Sequence, residues 1–256
     1  MEKVNILGVN FSNLRRFQVL DKIREYLRGS GRHQLVTPNA EIILAAQTDA
    51  ELRLILNLAD LAVMDGSGPQ IAARFMGAKI ERYPGADLLK DILNLAAEQN
   101  RRIAVFNWQG GLSSADDIKG VLAAEYPKLR ALAVDLSRQA ELEGLISKQV
   151  MDFAPDIIIS TLGSPYQEKF IFKALAKLPF VKLGLGVGGG FDFLTGKIKR
   201  APKIMRAIGL EWLWRLFKQP WRIKRIYNAV IVFTVKFLIW RYGKQFKQAG
   251  QENRRS

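Results

Sequence analysis

The chain has no cysteine and a single histidine, His33. A disulfide framework and a thiolate metal site are therefore excluded, and a zinc centre built on histidines has no ligand set. The lack of cysteine suits a reducing compartment. No D-x-D pair, E-x-x-H set, G-x-S-x-G or Walker A motif occurs, so neither serine-hydrolase nor P-loop chemistry is indicated. No metal and no cofactor is called for. Residues 1–17 lack a long apolar segment and a small-residue cleavage site, so no signal peptide is expected. The longest apolar stretch, Ile226 to Trp240, is broken by Asn228, Thr234 and Lys236. It falls short of the roughly 20 residues a membrane-spanning helix needs.

Acidic residues are scarce in one region only. Residues 1–196 hold 23 Lys and Arg against 22 Asp and Glu, a net of +1. Residues 197–256 hold 16 against 2, a net of +14. Four of the five tryptophans, Trp212, Trp214, Trp221 and Trp240, lie in this second part among Phe, Ile and Val. A merely solvated basic tail would not carry them. The expected organisation is a neutral enzyme-like body, 1–196, followed by a basic amphipathic helical appendage, 197–256.

Within the body, short apolar runs alternate with segments of helical spacing. Strands are expected at 4–9, 33–36, 61–64, 102–106, 129–134, 156–162 and 181–187. Helices are expected at 17–27, 39–58, 68–76, 87–99, 114–126, 139–153 and 165–178. Alternation of this kind, with cores such as IAVF and DIIIS, predicts an α/β fold: a Rossmann-like parallel sheet with helices on both faces. Ligands of such sheets bind at the carboxyl ends of the strands. The residues just past each strand are thus the candidates: Thr37 and Asn39, Asp65, Trp108 and Gly110, Gly163 and Gln167, and Gly188 to Asp192.

Asp65 follows an apolar strand and precedes Gly-Ser-Gly. Partial desolvation would raise its pKa and make it a usable base; an Asx turn or a helix cap is the structural alternative. Gln167 sits in the first turn of a helix whose free N–H groups favour phosphate, or it closes a capping box with Ser164. GVGGGFDF follows a strand but lacks the G-x-G-x-x-G fingerprint, which argues against a dinucleotide oxidoreductase. Asp192 could grip ribose or base, or serve a turn. His33 lies at the amino end of its strand, away from the rim, and reads as structural.

From Pro202 the pattern is helical and basic. Lys218, Arg222 and Arg225 share a face, which Lys236 and Lys247 extend if the helix continues. Ile223, Ile226, Val230, Phe237 and Leu238 fall on the other side. A cationic stripe opposite Trp and Phe is the pattern of an interfacial helix on anionic lipid. Packing on the body or in a homo-oligomer interface is the structural alternative. Nucleic acid is disfavoured as a partner, because aliphatic residues such as Val230 add little to phosphate binding.

The motifs TPNAEIILAA (37–46), MDGSGPQIAARFMG (64–77), RYPGADLL (82–89), LGSPYQEKFI (162–171) and GVGGGFDFLTGKIKRAPKIMRAIGLEWLWRLFKQPWR (186–222) together resemble the WecG/TagA/CpsF family of bacterial glycosyltransferases, in the family's order over nearly the whole chain. The resemblance implies a metal-independent, inverting transfer from a UDP-sugar. In the teichoic-acid branch of cell wall synthesis the donor is UDP-N-acetylmannosamine. The acceptor there is N-acetylglucosamine on undecaprenyl diphosphate at the cytoplasmic face of the membrane. Carried over by motif, Asp65 would be the general base. Thr37, Asn39 and Gln167 would hold donor sugar or diphosphate, and Arg82, Gly163, Gly188 and Asp192 would add binding contacts. Arg215, Arg222 and Arg225 would close the site from the appendage, with Arg222 among the catalytic set. On this reading the cations for the departing diphosphate come from the tail, because the body offers no dense cationic cluster. Two departures leave the donor open among N-acetylmannosamine, its uronic acid and glucose: Gly-Ala-Asp at 85–87 in place of Gly-Ser-Asp, and Asn107-Trp108 in a loop often glycine in the family. A non-catalytic nucleotide-binding module with a basic docking tail is the reading from another class.

Overall fold

A computed structural model describes residues 2–138, 147–202, 204–205, 211–218 and 223–252. The first elements are β1 (Lys3–Ile6) and β2 (Val9–Ser12), paired antiparallel with Ile6 opposite Val9. Sequence reasoning expects one strand over 4–9. Instead Leu7 and Gly8 both take positive φ (52° and 81°) and fold the chain back on itself, the turn that matches the twist of a two-residue hairpin.

The remaining strands are β3 (His33–Val36), β4 (Leu61–Ala62), β5 (Arg102–Trp108), β6 (Arg130–Leu136), β7 (Ile157–Ser160) and β8 (Leu183–Gly186). They form one sheet in the order β4-β3-β8-β7-β5-β6, and every pairing is parallel. Side chains alternate between its two faces. Ile103, Val105, Ile157, Ile159, Leu183 and Leu185 enter one core, together with helices α1 (Arg16–Arg28), α5 (Gly85–Glu98) and α6 (Ala115–Glu125). Ala104, Phe106 and Ile158 enter the opposite core with Phe170, Ile171 and Leu175 of α8 (Tyr166–Lys177). The near-continuous apolar strands thus find cover on both sides, as a parallel sheet requires.

The helix expected over 39–58 is two: α2 (Ala40–Ala45), capped by Asn39, and α3 (Ala50–Leu58), capped by Asp49 through Leu52 N. Asp49 competes for backbone donors and restarts the helix, while Gln47 Nε2 bonds the Leu7 carbonyl at 2.8 Å. Helix α4 (Ser67–Phe75) follows β4. Of the helix expected over 139–153, α7 (Lys148–Phe153) is seen, and the rest lies outside the described residues. A short helix absent from the sequence reading, α9 (Gly190–Leu194), follows the glycine run.

After the body come α10 (Glu211–Lys218), α11 (Ile223–Tyr227), a π-helical turn (Asn228–Val232) and α12 (Phe233–Glu252). In the wide turn the Phe233 N–H reaches the Asn228 carbonyl. The last helix packs back on the body. Phe233 and Phe237 are 2% and 4% exposed, in a core shared with Val4, Ile6, Phe11, Ala72 and Ile80. Ile223 and Phe237 therefore do not share a face as the spacing suggested, because Phe237 is sealed against the body and Ile223 is exposed. The outward face carries Ile223, Tyr227, Ile231, Val235, Ile239 and Tyr242, all exposed. Among the described residues no helix is long and apolar enough to cross a membrane.

Candidate active site

The carboxyl ends of the parallel strands open on one cleft of ≈ 720 Å³, within the range of small-ligand sites. Thr37, Asn39, Asp65, Gly163, Gln167, Gly188, Asp192 and Arg225 all line it, with Trp108 and Gly110. Residues more than 150 positions apart in the chain meet there because every parallel strand ends on the same rim. Arg82 is half-buried beside the cleft and is not part of its wall. Arg215 lies on α10. Arg222 lies outside the described residues.

Asp65 is half-buried in the cleft wall. Gly66, not Asp65, occupies the capping position of α4, and it makes no side-chain cap, so the capping alternative for Asp65 does not apply. The RYPG turn is pinned beside Asp65 by the bond from Tyr83 N to the Met64 carbonyl, 2.9 Å. Tyr83 is buried and its hydroxyl donates to Asp91, which also pairs with Arg16. This brings Gly85 between two of the candidate side chains: a Cβ there would lie 3.7 Å from both Asp65 Oδ2 and Thr37 Oγ1. Asn39 accepts the Ile42 N–H with its side-chain oxygen, so its amide nitrogen is the donor left for a ligand.

The middle of the floor belongs to Gln167. It is 4% exposed, in the first turn of α8, and it lies across β8 because Gly186 has no side chain. A Cβ on Gly186 would come within 2.5 Å of Gln167 Cδ, and one on Gly184 within 2.5 Å of Ile171. The two glycines of the LGLG strand let α8 approach closely enough to deliver Gln167 to the rim. The capping box with Ser164 does not form. Gln167 Oε1 accepts instead from Gly188 N at 2.9 Å, and Nε2 donates to Glu168 Oε1 at 2.9 Å. Glu168 is 3% exposed, and burial holds its carboxyl above the ordinary carboxylate range against weaker opposing hydrogen bonds. Asp192 accepts from Ser113 Oγ at 2.7 Å, and Ser113 also meets Thr195 at 2.8 Å, so Asp192 braces the glycine loop against the loop after β5. His33 stacks on Tyr26 and bonds Asp60 at the far end of β3.

Among the described residues, Arg138, Arg200 and Arg225 reach the cleft wall. Arg225 places Nε and Nη2 on Glu41 Oε2, at 2.9 and 2.6 Å. Arg200 is tethered to Asp87 through Nη1 at 2.5 Å, and its Nε and Nη2 are buried with no hydrogen bond. Arg138 lies 3.5 Å over the Trp108 ring and bonds the Leu162 carbonyl through Nε at 2.6 Å. It has no ion pair among the described residues. Sequence reasoning missed Arg138 and Arg200 and placed the cleft cations in the appendage alone. Arg138 corrects that: it follows the carboxyl end of β6, two residues past Leu136, the same positional signal that marked the other rim residues. Trp108, the departure from glycine noted above, is its stacking partner.

Such a cleft can accept a phosphorylated ligand along the rim, with a carboxylate and planar cations in its wall. Comparison with known proteins gives the class. N-acetylglucosaminyldiphosphoundecaprenol N-acetyl-beta-D-mannosaminyltransferase of Bacillus subtilis (strain 168) is 33% identical over 194 residues, covering 74% of this chain and 73% of that protein. Residues 4–247 match the Glycosyl transferase WecG/TagA/CpsF family. With a parallel α/β body, a rim cleft and a match over almost its full length, the chain belongs to the WecG/TagA/CpsF family of glycosyl transferases.

Proposed function

We propose that the chain transfers N-acetylmannosamine from UDP-N-acetylmannosamine, with inversion, to N-acetylglucosamine carried on undecaprenyl diphosphate, a step of teichoic-acid linkage synthesis. The observation that carries the reading is the convergence of Asp65 and Thr37 on Gly85 in a cleft whose walls also present Arg138, Arg200 and Arg225. The relative's name supports the sugar and the lipid-linked acceptor.

In this mechanism the acceptor hydroxyl enters beside Asp65. Its oxygen attacks the anomeric carbon from the face opposite UDP, and Asp65 takes the proton. The carbon–oxygen bond to UDP breaks with its electron pair, leaving negative charge on the diphosphate. Arg200 and Arg225 on the cleft wall, with Arg215 and Arg222 of the same appendage as Arg225, meet that charge. Thr37, Asn39 and Gln167 hold the donor, and Gly163 after β7 with Gly188 and Asp192 after β8 seat its nucleotide.

The acceptor's lipid puts the reaction at a membrane surface. The exposed apolar row Ile223, Tyr227, Ile231, Val235, Ile239 and Tyr242, with the exposed Lys224 and Lys236 beside it, supports peripheral attachment to anionic lipid at the cytoplasmic face. The division at 196/197 is read accordingly as a catalytic body and a membrane-associating appendage.

A second donor is favoured by one observation. Arg138 has no carboxylate partner among the described residues, and a sugar uronate would supply one. The test is UDP release from UDP-N-acetylmannosamine and from its uronate, with and without the lipid-diphosphate acceptor, for the unaltered chain, Asp65→Asn and Arg222→Ala. Acceptor-dependent release from the first donor, lost in both variants, is expected. Release that survives Asp65→Asn rules out Asp65 as the base, and release from the uronate alone replaces the donor.

A further inference from the structure

Beneath the cleft floor lie two buried polar atoms that the mechanism leaves unexplained. Glu168 Oε2 and Ser164 Oγ are both sealed from solvent and neither has a hydrogen bond. Such orphans are uncommon in folded proteins and call for a physical account. Burial favours the neutral Glu168 carboxyl and outweighs the Gln167 amide, the main chain and the Ser164 hydroxyl, which favour the charged form; no charged group contributes. The main chain of Glu168 is also fixed, by Gln34 Nε2 on its carbonyl at 3.0 Å. A carboxylate here would be a buried charge with no ionic partner, only partly offset by these neutral hydrogen bonds. A carboxylic acid would not, because its Oε2–H can donate to Ser164 Oγ and satisfy both orphans at once.

The neutral acid has a consequence for Gln167. With Oε1 of Glu168 accepting from Nε2 and the Gly188 N–H donating to Oε1, the Gln167 amide has one allowed orientation. Turned over, it would set its Nε2 donors against the Gly188 N–H and its oxygen against Glu168 Oε1. In the allowed orientation the second Nε2–H is unspent at the cleft.

We propose that Glu168 is a positioning residue: as the neutral acid, bridged to Ser164, it locks the Gln167 amide so that one N–H is held toward an oxygen of the donor. This rests on the reading of Gln167 as a donor ligand. It adds a reason for keeping the group uncharged, since a carboxylate beneath Gln167 would also repel the donor's diphosphate.

Two measurements test it on the full chain. In steady-state kinetics with UDP-N-acetylmannosamine, Glu168→Leu is expected to raise the donor KM about tenfold with kcat within about threefold, the scale of one lost hydrogen bond. Gln167→Ala should match it, and the double variant should be no worse than either alone. Glu168→Gln, which keeps both the acceptor and the donor of the neutral acid, should restore most of the loss. Additive effects in the double variant, or Glu168→Gln as poor as Glu168→Leu, would overturn the proposal. The second measurement follows the side-chain amide protons of Gln167 by nuclear magnetic resonance, assigned by their disappearance in Gln167→Ala. The Nε2 proton bonded to residue 168 is expected to exchange slowly in the unaltered chain and in Glu168→Gln, and fast in Glu168→Leu. Identical exchange in all three overturns the lock. If Gln167→Ala leaves the donor KM unchanged while the amide still responds to residue 168, the donor contact of Gln167 is rejected and the lock stands.

Discussion

Replacing Phe233 by alanine is the sharpest probe of how the appendage is held. The ring is 2% exposed and rests over the first turn of α4, where a Cβ on Gly68 would touch Phe233 Cδ1 at 3.6 Å. It also stacks on Phe237, which in turn meets Phe75 edge-on at 6.1 Å. Truncating a buried phenylalanine costs about 3–5 kcal/mol. Most of that loss falls on the docking of α12, because the ring bridges the helix to the body and the sheet core does not depend on it. The docking constant should drop by roughly two to three and a half orders of magnitude, at about 1.4 kcal/mol per decade. Amide hydrogen exchange of residues 233–243 reads this directly: protection should fall by about that factor, while peptides from β5 and β7 keep theirs. Arg225, held to Glu41 on the adjoining turn, is carried away with the helix, so acceptor-dependent UDP release should fall as well. Ile231→Ala on the outward face is the control and should shift protection by less than about 0.5 kcal/mol. Protection of 233–243 within about threefold of the unaltered chain in Phe233→Ala would refute the reasoning, since no buried ring of this kind is removed so cheaply.

Asp65→Asn should lower the turnover number about 10²- to 10⁴-fold, with UDP affinity by calorimetry held within a small factor. Arg138→Ala should raise the donor KM by roughly ten- to hundredfold, from the loss of a charge-assisted contact, and lysine should fail to rescue it because an ammonium cannot stack on Trp108 as the planar guanidinium does. Ile231→Glu with Ile239→Glu should reduce flotation with anionic vesicles while leaving the melting temperature unchanged; retained flotation would move the membrane contact elsewhere. Glu168 gives a pH signature. Its folded pKa is raised, so its contribution to stability is full below the unfolded carboxylate range and is lost as pH climbs toward the folded value. Between those limits the unaltered chain should lose about 1.4 kcal/mol per pH unit relative to Glu168→Gln, read by denaturant unfolding from pH 5 upward.

The parts of this molecule written in short-range pattern were legible in the sequence. Runs such as IAVF and DIIIS announce strands buried on both faces, and a parallel sheet gathers their ends on one rim, so Thr37, Asp65, Gln167 and Gly188 could be named without coordinates. What failed depends on partners far away in the chain. Arg138 becomes a cleft cation only when Trp108, thirty residues earlier, arrives on the neighbouring strand. For Gln167 the sequence left a rim ligand and a capping box with Ser164 both open; the choice depends on Gly188, just past β8, whose N–H donates to the amide oxygen. The break at Asp49 and the reversal at Leu7-Gly8 were present as residue types, but an uninterrupted apolar rhythm on either side outweighed them. In the appendage the difficulty was of another kind. Helix α12 is apolar on two sides, and spacing alone cannot say whether Phe237 or Ile239 meets the body.

The π-helical turn at Asn228–Val232 settles that last question, and it does so by counting. An α-helix advances by about 100° per residue, so a row of side chains four apart, such as 223, 227, 231, 235 and 239, would wind about 40° around the axis at each step. The wider turn winds less per residue and takes back part of this drift, keeping the outward row aligned while Phe233 and Phe237 stay inserted in the body. The turn is therefore the phase setting between two surfaces on one shaft. Because a π turn takes up one more residue than an α turn over the same rotation, removing one residue from it would restore α pitch with Ile223–Tyr227 close to their present phase, whereas removing one from an α-helical stretch would rotate them by about 100° and swing Arg225 off Glu41. The extra residue is absorbed within Asn228–Val232, and both surfaces keep their places on the shaft.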